Sequence, residues 1–212
     1  MKAEVTETKS GSETPTQTQT QTQTQSVVLV GVGGQGILLA SEIVAKAAMQ
    51  AGYQVKTNEV HGMAQRGGSV VAQIRYGPEV YSPLVSEGTA RVLGALEQIE
   101  ALRYADYLTP DGVAVVNAQS IIPVTVSTGA AKYPKDVLGL LKKRFPRLIY
   151  LDAADVAVKL GNMRAANIVL LGALSKGLDL PLEAWQEAVV SSVKEKHRDL
   201  NLKAFEAGRN LE

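Results

Sequence analysis

The feature that most constrains this chain is a strand-like run that passes through a glycine-rich turn into a helix-like run. Val27–Val30 is a continuous apolar stretch, typical of a strand buried on both faces. The turn that follows reads Gly31-Val32-Gly33-Gly34-Gln35-Gly36. Beyond it, polar residues recur every fourth position until Gly52, a pattern that predicts an amphipathic helix ending at a glycine. Strand, glycine turn and helix in this order indicate an α/β protein.

Strand and helix patterns keep alternating along the rest of the chain. The run 69–76 has two unequal faces, which suggests an antiparallel or near-edge strand, and Pro110-Asp111-Gly112 is interpreted as a turn. The sequence therefore predicts a three-layer α/β/α domain with a mostly parallel, Rossmann-like sheet. Further strands are predicted at 53–57, 91–96, 113–116 and 148–151, with 121–126 as a candidate, and helices at 98–107, 134–145, 153–160, 165–176 and 182–194.

The N-terminal segment differs from everything after it. From Thr14 to Gln25 the chain is almost pure alternating Thr and Gln, broken only by Pro15. Such a stretch has no apolar side chains to bury, so it cannot offset the entropy of ordering. We expect residues 1–25 to form a disordered tail that the fold does not need, and residues 26–212 to form a single domain.

Composition excludes several classes of site. The chain has no cysteine, so it can form neither a disulfide nor a thiolate-ligated iron–sulfur cluster or zinc site. Its two histidines, His61 and His197, lie far apart, so we expect no metal-binding residues. The net charge of +1 gives no electrostatic reason to expect nucleic acid or an anionic membrane as a partner. With no apolar run near the roughly 18 residues of a membrane span, the expected location is the cytoplasm.

The glycine turn alone leaves two interpretations open. It contains G-x-G-x-x-G between a predicted strand and a predicted helix, a spacing that admits a phosphate group or merely a close backbone contact. A dinucleotide-binding protein should also carry an acidic residue about 20 positions further on, to hold the ribose. Glu59 is near that place, but in a predicted loop. An NAD(P)-dependent dehydrogenase, or a nucleotide-binding interaction module using Gly31–Gly36, therefore remains an alternative.

Four segments, in order, resemble the gamma-type domain of 2-oxoacid:ferredoxin oxidoreductases, also described as domain III of pyruvate:ferredoxin oxidoreductase. Within that family, the segment HGMAQRGG is similar to the corresponding segment of the small subunit of the indolepyruvate type. The resemblance covers residues 26–210. The four segments are Gly31–Ala40 (GVGGQGILLA), His61–Gly68 (HGMAQRGG), Asn162–Asn167 (NMRAAN) with Leu171-Gly172-Ala173, and Asn201–Gly208 (NLKAFEAG).

The resemblance implies a function that this chain does not carry alone. In that family the complete enzyme decarboxylates a 2-oxoacid, such as indolepyruvate, transfers the acyl group to CoA and passes electrons to ferredoxin. Thiamine diphosphate, Mg²⁺ and [4Fe-4S] clusters then belong to a large partner subunit, through which ferredoxin is reached indirectly. The residues agree, because this chain has no cysteine and no Gly-Asp-Gly stretch followed by Asn at thiamine-site spacing. We expect a hetero-oligomeric oxidoreductase whose small subunit binds no cofactor by itself.

The resemblance also selects the candidate site residues. Arg66 is the best candidate for a supporting catalytic side chain, because a guanidinium between glycines can reach a carboxylate or phosphate bidentately. The alternatives are an ordinary loop arginine, close packing by the glycines and loop bracing by Gln35. Three features are candidate contacts for the partner subunit: Trp185 in the helix 182–194, the apolar faces of the late helices and the Gly31–Gly36 turn. The residues expected to line the active-site cleft are Gly31, Gly33, Gly34, Gln35, Gly36, Gly67 and Gly68.

Overall fold

The computed structural model describes residues 23–62, 67–130 and 132–211. Most of the predicted tail therefore lies outside the described residues. The first strand begins at Gln25, which pairs with Tyr76, and Thr24 donates a 2.9 Å hydrogen bond to the carbonyl oxygen of Glu79. The described structure thus includes residues 23–25, which lie before the domain boundary expected from composition.

One six-stranded sheet forms the middle layer, with the strands in the order β2-β3-β1-β4-β5-β6. The pairs β1–β4, β4–β5 and β5–β6 are parallel, whereas β3 runs antiparallel to both β1 and β2. Only β3 is therefore reversed, which confirms both the mostly parallel sheet and the antiparallel strand predicted at 69–76. The strands are β1 Gln25–Val32, β2 Gln54–His61, β3 Ser69–Gly77, β4 Ala90–Ala95, β5 Leu108–Asn117 and β6 Leu148–Leu151.

Helices cover both faces of this sheet, which confirms the three-layer prediction. Alternate side chains of β1 separate into the two cores: Val27 and Leu29 pack in the core that holds α1 and α5 to α8, and Val28 and Val30 in the core that holds α2 and α4. Among the described residues no helix is both long and apolar enough to cross a membrane. The helices are α1 Ile37–Gln50, α2 Gln98–Arg103, α3 Val124–Ser127, α4 Val137–Arg144, α5 Ala153–Lys159, α6 Ala166–Ser175, α7 Leu182–Ser192 and α8 Arg198–Arg209.

Two local predictions are wrong. The candidate strand at 121–126 is instead occupied by the short helix α3, in which the carbonyl oxygen of Pro123 accepts hydrogen bonds from the backbone N–H groups of Val126 and Ser127. The predicted turn at Pro110–Gly112 lies inside β5. Between two successive pairs of the ladder, β5 advances five residues, from Leu108 to Val113, while β4 advances only two, from Ala90 to Val92. Because the surplus residues form a bulge, turn-type residues are tolerated within a strand.

Trp185 cannot contact a partner, so that prediction is also wrong. Its side chain has no exposed surface, and its ring stacks on Phe205 of α8 at a centroid distance of 5.8 Å. Helix α7 packs against α1 and α8, and Trp185 belongs to the same core cluster as buried residues of both helices. Burial of so large an aromatic surface makes this tryptophan a core residue.

Candidate functional site

A cleft of about 800 Å³ opens at the edge of the sheet where β1 and β2 end and β3 begins. Carboxyl ends of parallel strands are the usual binding edge of an α/β sheet. The walls are mostly aliphatic, and no lysine, arginine or acid is among the described lining residues. Those residues are Val32, Gly33, Gly34, Gly36, Ile37, Leu38, Leu39, His61, Gly62 and Val70.

The two glycine-rich loops identified in the sequence meet at this cleft. The backbone N–H of Gly33 donates a 2.8 Å hydrogen bond to the carbonyl oxygen of Gly68, so the first loop is joined directly to the second. Gly62 and Ser69 are bonded across the base of the second loop at 3.3 Å. Arg66 belongs to residues 63–66, which lie outside the described part of the chain; its placement stays a prediction, although both stems of its loop are fixed at the cleft.

Helix α1 starts at Gly36, where the backbone takes a left-handed conformation with φ of +81°. A β-carbon at Gly36 would lie 2.7 Å from Nδ2 of Asn167, so glycine is required on both conformational and steric grounds. Asn167, at the start of α6, donates through Nδ2 to the carbonyl oxygen of Gln35. The third sequence motif thus fixes the turn that the first motif forms.

Gln35 joins the ends of three strands. Its Oε1 accepts the backbone N–H of Val32 at 2.7 Å, and its Nε2 donates to the carbonyl oxygen of Leu96 at 3.0 Å and to Oε1 of Gln119 at 2.9 Å. A β-carbon at Gly31 would lie 2.7 Å from the Gln35 oxygen, so this glycine leaves the space that the amide occupies. The geometry makes Gln35 an internal brace of the turn, because both its donor and acceptor atoms bond within the chain.

The fourth motif acts at a distance from the cleft. A β-carbon at Gly208 of α8 would overlap the carbonyl oxygen of Val169 in α6, and one at Gly172 would overlap the carbonyl oxygen of Phe205. The two helices therefore touch backbone to backbone at two glycines. Because α6 carries Asn167 at its first turn, this contact fixes the helix that holds the glycine turn.

A buried carboxylate that the sequence analysis missed lies behind the turn. Glu97 follows β4 directly, is 1% exposed, and caps α2 by accepting the backbone N–H groups of Ile99 and Glu100 through Oε2. Its other oxygen accepts the Ile121 N–H at 3.2 Å and the Tyr133 hydroxyl at 3.1 Å. An acid directly after an apolar strand and before a helix is the signal that could have identified this cap.

A second buried acid, Glu100, reaches the stem of the Arg66 loop. Its Oε2 accepts a hydrogen bond from the Ser69 hydroxyl, and its Oε1 lies 3.4 Å from Nε of Arg103. Burial raises the pKa of Glu100 above its usual range, although the Ser69 hydrogen bond and the Arg103 charge both oppose this increase. A carboxylate held in this way links α2 to the first residues of β3.

Two asparagines elsewhere in the fold, Asn117 and Asn201, have structural partners. Asn117, at the end of β5, donates to the carbonyl oxygen of Leu96 at 3.3 Å and accepts the backbone N–H of Ala153 at 3.0 Å, so it joins neighbouring elements. Asn201 donates to the carbonyl oxygen of His197 within the first turn of α8. His61, by contrast, is exposed and lines the cleft. It is therefore the one titratable side chain among the described lining residues.

The geometry does not support a dinucleotide site of the usual kind. In that fold the strand that carries the ribose-binding acid lies next to β1. Here β3 occupies that place, and Glu59 lies one strand further out, on β2. The Glu59 carboxylate accepts a 2.7 Å hydrogen bond from the Ser41 hydroxyl in α1. Glu59 therefore braces the edge strand against the helix.

The described residues also do not provide the donor atoms that a resident metal or cluster would need. The full sequence contains no cysteine, so thiolate ligands are unavailable to an iron–sulfur cluster. Across the described ranges, no group of three or more histidine or acidic side chains converges on one point. The chain's own residues therefore do not fit a thiolate-ligated iron–sulfur cluster.

Comparisons with known proteins agree with this arrangement. A family model described as pyruvate ferredoxin/flavodoxin oxidoreductase matches residues 26–211. Indolepyruvate oxidoreductase subunit IorB of Archaeoglobus fulgidus is 47% identical over 184 residues, which cover 85% of this chain and 91% of that subunit. The crystal structure of a keto/oxoacid ferredoxin oxidoreductase gamma subunit from Geobacter sulfurreducens superposes with a TM-score of 0.64 at 27% identity, over 87% of this chain and 95% of that one.

A longer relative contains the same domain as one part of its chain. Ketoisovalerate oxidoreductase subunit VorA of Methanothermobacter thermautotrophicus is 33% identical over 183 residues, which cover 84% of this chain but only 34% of VorA. The domain therefore occurs both as a chain of this size and within a chain about three times as long.

Proposed function

The chain belongs to the pyruvate ferredoxin/flavodoxin oxidoreductase family, and on that premise we propose that it is the small subunit of an indolepyruvate-type 2-oxoacid:ferredoxin oxidoreductase. The assembled enzyme would oxidatively decarboxylate an arylpyruvate, transfer the acyl group to CoA and reduce ferredoxin. Support for the indolepyruvate type comes from the 47% identity to the archaeal subunit of that name.

One observation carries the proposal: three of the four sequence motifs meet at one edge of the sheet, and the fourth packs on the helix that carries the third. The Gly31–Gly36 turn bonds to Gly68 of the second motif and to Asn167 of the third, while Gly208 of the fourth packs against the helix that carries Asn167. Gly68, Asn167 and Gly208 are far apart in sequence, and all three help to hold the Gly31–Gly36 turn in place. This common structural role explains why the motifs that contain them occur together. The turn and the loop after β2 would then form a rigid wall beside the partner's active site.

Thiamine diphosphate, Mg²⁺ and [4Fe-4S] clusters are assigned to the large subunit. The reason is the donor set described above, since a chain without cysteine cannot ligate a cluster. The contribution proposed for this chain is a rigid wall that positions groups beside the partner's active site and helps to enclose that site. Gly31, Gly33, Gly34, Gln35, Gly36, Gly67 and Gly68 would line or support the cleft wall, and Arg66 would contribute a positive charge to it.

Reconstitution tests the proposal. The isolated chain should be colourless, bind neither iron nor thiamine diphosphate, and fail to oxidise 2-oxoacids. Mixed with the large subunit, it should restore arylpyruvate- and CoA-dependent reduction of ferredoxin or a viologen dye. Full activity of the large subunit alone would show that this chain is an accessory module. Reduction of NAD(P) by the isolated chain would instead support the dehydrogenase alternative.

A further inference from the structure

We infer that Glu100 is a positioning residue: through the Ser69 hydroxyl it fixes the stem of the second glycine loop against the Gly31–Gly36 turn. The stem is Gly67-Gly68, which leads directly into β3. The positioning is argued from contacts within this chain. Its effect on turnover rests on the proposed function, because it concerns the wall that the two glycine loops would form beside the partner's active site.

The stem does not fix its own direction. Gly67 has a left-handed backbone with φ of +77°, and Gly68 also lacks a β-carbon, so local sterics leave the backbone wide freedom. The carbonyl oxygen of Gly68 nevertheless accepts the Gly33 N–H at 2.8 Å, a hydrogen bond that needs one definite orientation of the stem. Ser69, the first residue of β3, carries the first side chain after the two glycines and pairs with Val32 of β1. A restraint on Ser69 therefore acts one residue from the contact between the two loops.

Glu100 supplies that restraint from a helix that is itself held in place. It is 5% exposed, and its own backbone N–H donates to Oε2 of the buried Glu97 at 3.0 Å. Oε2 of Glu100 accepts the Ser69 hydroxyl, while Oε1 lies 3.4 Å from Nε of Arg103. A buried carboxyl group that loses a hydrogen-bond partner is strongly disfavoured, so the bond to Ser69 resists movement of the stem. The stem is therefore tied to a carboxylate whose place is set by α2.

The direction of each hydrogen bond at Ser69 follows from the number of protons. An ionised carboxylate only accepts, so the single hydroxyl proton of Ser69 points to Glu100. The Tyr104 hydroxyl, 3.2 Å from Oγ of Ser69, then acts as the donor to Ser69. Ser69 is thus bonded both to α2 and to the residue that caps its C-terminal end. Ser69→Ala removes both hydrogen bonds at once, whereas Ser69→Thr keeps the hydroxyl.

Hydrogen exchange at the Gly33 amide measures the positioning directly in the isolated chain. Ser69→Ala should accelerate this exchange roughly tenfold or more, because the Gly68 carbonyl oxygen loses its fixed place and the Gly33 N–H opens to water more often. Ser69→Thr should exchange at close to the wild-type rate, since its hydroxyl can make the same hydrogen bonds. The exchange is followed residue by residue by NMR, with thermal melts to verify that each variant is folded.

Ser175→Ala is the matched control. Ser175 is also a serine with two hydrogen bonds, one to the carbonyl oxygen of Gly172 at 2.7 Å and one from Arg209 at 2.9 Å. It lies at the end of α6, about 12 Å along the helix axis from Asn167. Exchange at Gly33 should therefore keep its wild-type rate in this variant. Unchanged exchange in Ser69→Ala, or equal acceleration in both alanine variants, would overturn the inference.

A double-mutant cycle on the reconstituted enzyme tests whether the positioning reaches the loop that carries Arg66. Ser69→Ala alone should lower turnover about tenfold, but it should change the turnover of Arg66→Ala by less than about twofold, because both substitutions remove the same contribution. The same fold loss in both backgrounds would overturn the inference, since Ser69 would then act independently of Arg66. Absence of any activity with the wild-type subunits would instead contradict the proposed function, and exchange at Gly33 would still decide the inference.

Discussion

Gln35 shows at the scale of one residue why a glycine-rich motif need not be a ligand-binding motif. Its amide bonds to Val32, Leu96 and Gln119, and so connects the ends of β1 and β4 and the segment after β5. The sequence could only present ligand binding and loop bracing as equal alternatives, because both require an amide in the turn. The deciding information is the position of Leu96 and Gln119, which are distant in sequence.

Arg66→Ala should reduce turnover of the assembled enzyme by roughly 100-fold without preventing assembly, if the guanidinium stabilises an anion at the active site. Arg66→Lys should restore only part of the rate, since lysine lacks the bidentate fork. Steady-state kinetics on the reconstituted complex, with gel filtration to verify assembly, provide the measurement. Wild-type turnover in Arg66→Ala would show that the loop has only a packing role.

Glu100→Gln should melt above the wild type at pH 7 and match it near pH 4. Burial raises the pKa of Glu100, so the folded protein binds its proton more tightly than the unfolded chain does. The resulting loss of folding stability is absent where Glu100 is protonated in both the folded and the unfolded chain. It develops as the pH rises above the pKa of glutamate in the unfolded chain, about 4.3. The neutral amide avoids this loss while its oxygen can still accept the Ser69 hydroxyl. Thermal melts of the variant and the wild type across this pH range would test whether the variant becomes the more stable protein as the pH rises.

Glu97→Gln is the matched control, and it should be destabilised at pH 7 by about 1–3 kcal/mol. Both oxygens of Glu97 accept two hydrogen bonds each, three of the four from backbone N–H groups. An amide presents one oxygen and one NH₂ group, so one pair of donors loses its acceptor in either orientation. Stability equal to the wild type would show that these hydrogen bonds contribute little.

At the scale of helices and strands, the contact between α6 and α8 makes a strong prediction. Gly208→Ala should lower the free energy of unfolding by about 3 kcal/mol, near the upper end of the usual range for overpacked cores, because its β-carbon overlaps the Val169 carbonyl. Gly62→Ala is the control: its β-carbon would meet no atom of the described residues within 4 Å, so the change should stay within about 0.5 kcal/mol. Urea unfolding of both variants provides the comparison; similar losses would contradict the packing argument.

The sequence predicts elements well where a periodic pattern coincides with burial. Strand β1 and helix α1 follow their patterns closely, because both pack in the centre of the domain. Strand β2 extends to His61, beyond the predicted end at residue 57, because pairing with β3 continues along the largely polar segment 58–61. Helix α8 was not predicted, although Asn201, Ala204, Phe205 and Gly208 recur on its buried face at helical spacing.

The cleft was only partly predictable from the chain. The resemblance placed the two glycine loops together, and their hydrogen bond through Gly33 and Gly68 agrees with that expectation. Glu97 and Glu100 were missed because a buried carboxylate has the same sequence signature as an exposed one until its partners are known. Tyr133 and Ser69 lie more than 30 positions from the acids they contact, a separation that local patterns do not reveal.

For the whole molecule, the boundary of the tail is testable. Removing residues 2–22 should leave the melting temperature and complex formation unchanged, because that composition offers little apolar surface to bury. Removing residues 2–25 should lower the melting temperature, since it also deletes the Thr24 hydrogen bond to Glu79 and the pairing of Gln25 with Tyr76. Loss of stability in the shorter deletion would show that the tail packs on the domain.

Strand β2 has eight residues, and β3 is its only neighbour in the described sheet. Its outer backbone N–H and carbonyl groups are therefore open to another strand, the situation in which sheets associate edge to edge. The consequence concerns how a cell produces the protein. A small subunit made in excess of its partner would expose both this edge and the apolar cleft, and so would tend to self-associate. If the proposed large subunit covers these surfaces, balanced synthesis of the two subunits would protect solubility as well as activity.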